Sequence, residues 1–201
     1  MNATRLTQTQ RKAATRNKLR DAAARVFARQ GLGGVSIDRL SEAAGFSRGA
    51  FYAHYADKQG LLLELLAASH ETEIQAWTDL AGSAGDVAAM FAEMEQRFNR
   101  LAAEQDWWLL HGELQLHAQR DAAFGRQYQQ FSDAVMRRIE HLLREIAARA
   151  AAPATLDVAQ AAVCLRALGL GLMFERSTHT SPGAALVAYI RLLVGQGEKQ
   201  A

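Results

Sequence analysis

The chain has 201 residues, 49% of them hydrophobic and only two of them proline, which suits one or two globular domains and excludes a disordered tail as the main body. A net charge of +2 conceals a division: residues 1–58 hold 11 Lys and Arg against 4 Asp and Glu, a net of +7, while residues 59–201 hold 12 against 17, a net of −5. The basic end fits either a docked polyanion or a solvated tail, while a single Cys164 excludes an internal disulfide and no apolar run reaches the roughly 20 residues that span a bilayer.

Met1–Arg20 is polar and basic and holds no secretory apolar core, so a cytoplasmic, nucleoid-associated protein with no membrane partner is expected. Apolar residues recur at three- and four-residue steps and no strand-like alternation is present, which predicts an all-α fold. Leu19, Ala22, Ala23, Val26 and Phe27 form one stripe of a first helix, preceded by a basic arm over 1–15 and stopped by Gly31. After the glycine-rich connector Gly31–Gly34, Ser36 caps a short helix carrying Ile37, Leu40, Ala43 and Ala44, and Gly45 ends it. Ser47 caps a third helix, Arg48 to about Tyr55, and Asp57 caps a fourth that opens at Lys58 and continues through Leu61, Leu62, Leu65 and Leu66. Further helices are expected over 58–80, 85–104, 107–119, 122–151, 154–176 and 183–195, with Asp106, Asp121 and Ser181 as caps and Pro182 in a first turn.

Two short helices joined by a tight glycine turn are what a helix-turn-helix needs. Ile37, Leu40, Ala44, Phe46 and Phe51 form the expected seam, and Ser41 and Ala44 are small enough for close contact. Arg48, Gly49, Tyr52, Ala53 and His54 are left outside. A helix of about nine residues is roughly 13 Å long and the major groove is about 12 Å wide, so its exposed face reaches base edges. Arg48 suits a bidentate contact to guanine and equally a phosphate. Ser36 and Ser47 serve as caps, and the helix ends they open also offer N–H groups to phosphate. Tyr52, His54 and Lys58 are spaced to clamp one strand; packing of Tyr52, solvation of His54 and a purely local role of Lys58 in the fourth helix are the alternatives.

The run from Val35 to Leu62, VSIDRLSEAAGFSRGAFYAHYADKQGLL, resembles the signature of the tetracycline-repressor-like (TetR) family, at the usual distance after the first helix. The resemblance implies DNA contacts at Ser36, Ser47, Arg48, Gly49, Tyr52, His54 and Lys58, with Tyr55 packing the head. Departures from the family pattern are Ser41 for alanine, Phe51 for leucine, and Ala50 where a polar reading residue often sits. It also implies a three-helix head over 1–58 and a helical ligand-binding and dimerisation domain over 59–201. The expected partners are therefore a double-stranded DNA operator, a second copy of the chain and a small apolar or aromatic effector. No cofactor is expected.

Within the body, helix 154–176 is rich in Ala, Leu and Gly, and Leu186, Val187, Ile190, Leu193 and Val194 give the last helix a wide apolar face. That face suits an isologous dimer seam or an ordinary intramolecular core. The density of apolar and aromatic residues predicts an effector site from Phe91, Met94, Phe98, Trp107, Trp108, Leu114 and Phe131, with His111, Glu113 and His117 as polar groups. His111 and His117 stand about 120° apart around a helix, so they make no two-ligand metal face. With no nucleophile elbow, P-loop or dinucleotide fingerprint either, catalysis is not expected. A body that docks a protein partner instead of a small molecule is the rival reading.

Overall fold

The computed structural model describes residues 7–83, 85–175 and 181–196, without the side chains of residues 105 and 106. Among the described residues the chain is all-α and holds no strand. The helices are α1 (Gln8–Gln30), α2 (Ile37–Ala44), α3 (Arg48–Tyr52), α4 (Lys58–Ser83), α5 (Val87–Ala103), α6 (Gln105–Arg120), α7 (Ala122–Arg149), α8 (Val158–Phe174) and α9 (Pro182–Leu193).

The predicted stripe of α1 is buried, and Gly31 ends the helix at φ 68°. Its start differs. Thr7 and Gln10 form a capping box, the Thr7 hydroxyl accepting from the Gln10 N–H (3.2 Å) and the Gln10 side chain accepting from the Thr7 N–H (2.8 Å). Much of the expected basic arm, from Gln8 onward, is therefore helix; residues 8–18 are polar all round and lack a stripe to announce it. Asp121 caps α7 as expected, accepting from the N–H groups of Ala123 and Phe124. Asp106 falls inside α6 rather than ahead of it.

Two compact units make up the chain. One comprises the residues up to Ala68 and Leu109–Tyr128; the other comprises Ser69–Trp108 and the chain from Gln129 onward. The first is larger than the 58-residue head read from the sequence. Leu61, Leu62, Leu65 and Leu66 are buried in the first turns of α4, and Leu110, Leu114 and Phe124 add apolar side chains from α6 and α7.

The core of the second unit joins Met90, Phe91, Met94 and Phe98 of α5 to Leu186, Val187, Ile190 and Val194 of α9, with Met173 and Ile146 beside them. Each large apolar side chain so buried contributes about 1.5–3 kcal/mol. The Gly183 N–H donates to Asn99 Oδ1 (2.8 Å), which sets the start of α9 on α5. Two sequence expectations change here. Leu186, Val187, Ile190 and Val194 face their own core rather than a partner, so the intramolecular alternative holds for them. Phe91, Met94 and Phe98, expected around an effector, are consumed by the same packing.

Helix α7 stops two residues short of the expected end because Ala151 turns left-handed (φ 51°), and the Ala152 N–H bonds to the Ala147 carbonyl (2.9 Å). A residue with a Cβ is strained in that conformation. Ala151→Gly should therefore raise stability by about 0.5–1 kcal/mol, read as a higher urea midpoint at unchanged slope.

Candidate DNA interface and a polar cluster in the body

The reading helices are built by local rules. Ser36 Oγ accepts from the Arg39 N–H (3.1 Å) and Ser47 Oγ from the Ala50 N–H (3.2 Å), so both serines cap as expected. Between them Gly45 adopts φ 73°, ψ 30°, the left-handed conformation the turn requires. Leu40, Ser41 and Phe51 are buried, while Ile37, Ala44 and Phe46 are half-buried. The buried Ser41 hydroxyl donates to the Ile37 carbonyl (2.8 Å), which satisfies it where an alanine would need nothing.

With the interior closed, the outside holds Arg48, Gly49 and Tyr52, all exposed, and half-buried His54. The Arg48 guanidinium rests 3.4 Å from an Asp38 carboxylate oxygen and 3.4 Å from the Tyr52 hydroxyl, and stacks 5.6 Å from the Tyr52 ring centre. Exposed contacts of this kind contribute only about 0.2–1 kcal/mol, so the side chain is easily handed to another acceptor. A Cβ at Gly49 would meet nothing closer than Ser47 Oγ at 3.8 Å, so protein packing does not explain the glycine.

Lys58 points elsewhere. Its ammonium donates to the carbonyls of Leu32 and Val35, both at 2.6 Å, in the loop between α1 and α2. On the other side of that loop the Leu32 N–H donates to the Glu113 carboxylate. Gly31 is required for its positive φ; a Cβ there would also come within 2.7 Å of Glu113 Oε1 and push the carboxylate aside. Glu113, expected as a ligand-orienting group, thus holds the head loop. A second network that the sequence does not announce joins α1 to α4: Glu64 takes Arg16 and, at 3.6 Å, Arg20, and Tyr55 donates to it at 3.3 Å. Burial, and then the Glu64 charge, push the Tyr55 phenol above its ordinary pKa.

The remaining expected effector residues separate. His111 and Leu114 are buried in the first unit, His111 against Tyr128, and His117 lies against Phe124 there. Trp107, Trp108 and Phe131 belong to the second unit, where Trp108 and Phe131 flank His70, which the sequence does not single out. The His70 ring meets Trp108 edge-on at 6.2 Å and Phe131 at 5.4 Å. Trp107 Nε1 donates to Ser69 Oγ (3.0 Å), Trp108 Nε1 to the Leu101 carbonyl (2.9 Å), and Arg166 to Ser132 Oγ (2.7 Å). Burial and then the Arg166 charge lower the His70 pKa to about 4. The available signal was Arg166 itself, the one charged residue in α8.

Comparison with known proteins bears on this geometry. Residues 19–65, which contain the helix-turn-helix, match the family described as bacterial regulatory proteins, tetR family. The chain is 26% identical over 162 residues to the HTH-type transcriptional regulator SrpR of Pseudomonas putida, covering 80% of this chain and 74% of that one. It is 30% identical over 119 residues to the HTH-type transcriptional repressor AcnR of Corynebacterium jeikeium, covering 59% and 58%. The segment 19–65 of this chain is a TetR-family helix-turn-helix. In fold it is similar to FadR of Bacillus subtilis, solved in complex with stearoyl-CoA, at TM-score 0.67 and 16% identity over 90% of this chain and 99% of that one.

TetR-family proteins are DNA-binding transcriptional regulators and not enzymes. Arg48 on the exposed face of α3 and Lys58 at the start of α4 have different physical settings, and substitution separates them. Arg48→Ala should leave stability within about 0.5 kcal/mol of the parent. Lys58→Met removes a charged donor from two loop carbonyls and should lower stability by about 1–3 kcal/mol, both read from urea unfolding.

His70 supplies a pH signature. Its ordinary value is 6.5 and its folded value about 4, so the unfolded chain binds the proton more readily between those limits. Stability from this group is fully present above about pH 6.5 and is lost as pH falls toward 4, at up to about 1.4 kcal/mol per pH unit. His70→Gln should flatten the decline in unfolding free energy between neutral pH and pH ~5; an unchanged decline would assign it to other groups.

Proposed function

We propose that this chain is a ligand-responsive repressor that binds a pseudo-palindromic operator as a homodimer and leaves it when a small molecule occupies the body. The observation that carries the reading is the α3 face, where Arg48, Gly49 and Tyr52 stand exposed on a helix-turn-helix whose interior is packed. Ser36, Ser47 and His54 extend the contact surface, and Arg48 reads a base edge. Lys58 acts on DNA through the loop it grips, although its third N–H remains for a phosphate. Repression, rather than regulation in general, is inferred from the relative AcnR, a transcriptional repressor.

The dimer uses the outer faces of α8 and α9, which pack against one another. Val163 and Phe174 of α8 and Leu192 of α9 are exposed large apolar residues, a pattern that a two-fold partner would cover. A dimer presents two copies of α3 to successive major grooves about 34 Å apart. Release follows from chain continuity: α4 and α6 each have residues in both units, so an effector beside His70 and Trp108 acts on the helices that carry Lys58 and Glu113. Coupling of about 1–3 kcal/mol would change operator affinity 5- to 150-fold.

The rival reading, a body that docks a protein, is favoured by exposed Leu109 and Leu116 on α6. Leu109→Glu with Leu116→Glu leaves operator release by a small molecule intact under the first reading and abolishes regulation under the second.

The dimer and DNA surfaces are tested together. Leu192 is 68% exposed and Ile190 is 2% exposed. Leu192→Glu should yield a folded monomer by light scattering, whereas Ile190→Glu buries an unpaired charge and should unfold the chain. Arg48→Ala should lower affinity by about 1–3 kcal/mol at one operator position and spare the others. A parent protein monomeric at micromolar concentration, or a sequence-blind loss in Arg48→Ala, would overturn the respective part.

A further inference from the structure

Arg166 is the one charged residue of α8, a helix otherwise built from small and apolar residues with one glutamine. Its guanidinium is half-buried and donates to Ser132 Oγ at 2.7 Å. Among the described residues no carboxylate forms an ion pair with it. The two acids that flank His70 on α4 are already committed, Glu71 to Arg138 and Glu73 to Arg97 at 2.7 Å. A half-buried charge that donates to a neutral hydroxyl and, among the described residues, to no carboxylate is an unfavourable arrangement that an anion would relieve.

The surroundings specify what kind of anion. Ser132 follows Phe131, whose ring meets His70, so the hydroxyl that holds Arg166 lies beside the imidazole, and burial together with the Arg166 charge keeps that imidazole neutral. Trp108 and Phe131 flank the imidazole. Because the Trp108 N–H is occupied by the Leu101 carbonyl, the indole presents an apolar surface. One guanidinium balances a single negative charge; a phosphate dianion would leave charge uncompensated in a partly dry site. A cationic molecule is repelled by Arg166. The planar fork of arginine matches the two oxygens of a carboxylate.

We propose that Arg166 and Ser132 form a carboxylate-binding site beside His70, and that the effector of this chain is a small apolar carboxylate whose hydrocarbon part lies against Trp108 and Phe131. The proposal rests on the reading of the body as an effector domain and adds the effector's chemical class. Leu101, Ser69 and Trp107 act only to hold the aromatic side chains in place.

The test uses the full-length protein and matched probes: decanoate against decanol, and phenylacetate against phenylethanol, titrated into the intrinsic tryptophan fluorescence. At least one carboxylate should quench saturably and bind on the order of tenfold more tightly than its alcohol, about 1.4 kcal/mol. Arg166→Gln should erase that preference while the alcohol binds as before. Arg166→Lys, which keeps the charge and loses the fork, should retain part of it and serves if the glutamine variant fails to fold. Equal binding of acid and alcohol, a preference that survives in both variants, or no saturable quenching by either carboxylate would each overturn the site. Operator affinity is measured separately with labelled DNA. Arg166-dependent carboxylate binding that leaves operator affinity unchanged upholds the site and refutes release as its consequence.

Discussion

The short loop between α1 and α2 is the constraint on which the rest of the DNA-reading unit depends. It must reverse the chain between two packed helices, and in doing so it leaves main-chain donors and acceptors without helical partners. Leu32 and Val35 are buried there, so water alone cannot satisfy them. Side chains do so with opposite charges: a Glu113 carboxylate on the Leu32 N–H and a Lys58 ammonium on the carbonyls of Leu32 and Val35. Both are charge-assisted bonds, stronger than the neutral kind. Where α2 begins, and hence where the turn and α3 lie, is fixed by residues from α4 and α6 that are remote in sequence. The position of α3 is thereby registered by one residue of α4 and one of α6.

The second unit shows the same economy in apolar form. Helix α9 has two apolar faces: one fills the core with α5, and the other carries exposed Leu192. Periodicity alone reports that such a helix is apolar around much of its circumference, and it cannot tell which half meets its own chain. The Gly183 bond to Asn99 and the α5 side chains choose the inner half. What remains outside on α8 and α9, including Val163, Phe174 and Leu192, is the part the proposed dimer would use.

Legibility followed the range of the interaction. The caps Ser36, Ser47, Asp57, Asp121 and Ser181, the left-handed Gly45 and the buried stripe of α1 are all local, and each could be read from neighbouring residues. Glu113 and Lys58 could not be placed that way, since their partners lie 81, 26 and 23 residues away. The aromatic set around the expected effector was read as one region because its members are close in sequence. In the fold α6 changes units between Trp108 and Leu109, and the set divides with it. His70 carried no pattern of its own; the isolated charge of Arg166 in α8 was the clue that a search for apolar density passed over.

The resting position of Arg48 has a consequence for selectivity. Asp38 already occupies the guanidinium, so any DNA acceptor competes with an internal carboxylate rather than with bulk water. A lone phosphate contact gains little over that neighbour, whereas a base edge that accepts two parallel hydrogen bonds gains more. In the proposed DNA contact this exposed pairing is a small bias toward acceptors that engage the guanidinium fully.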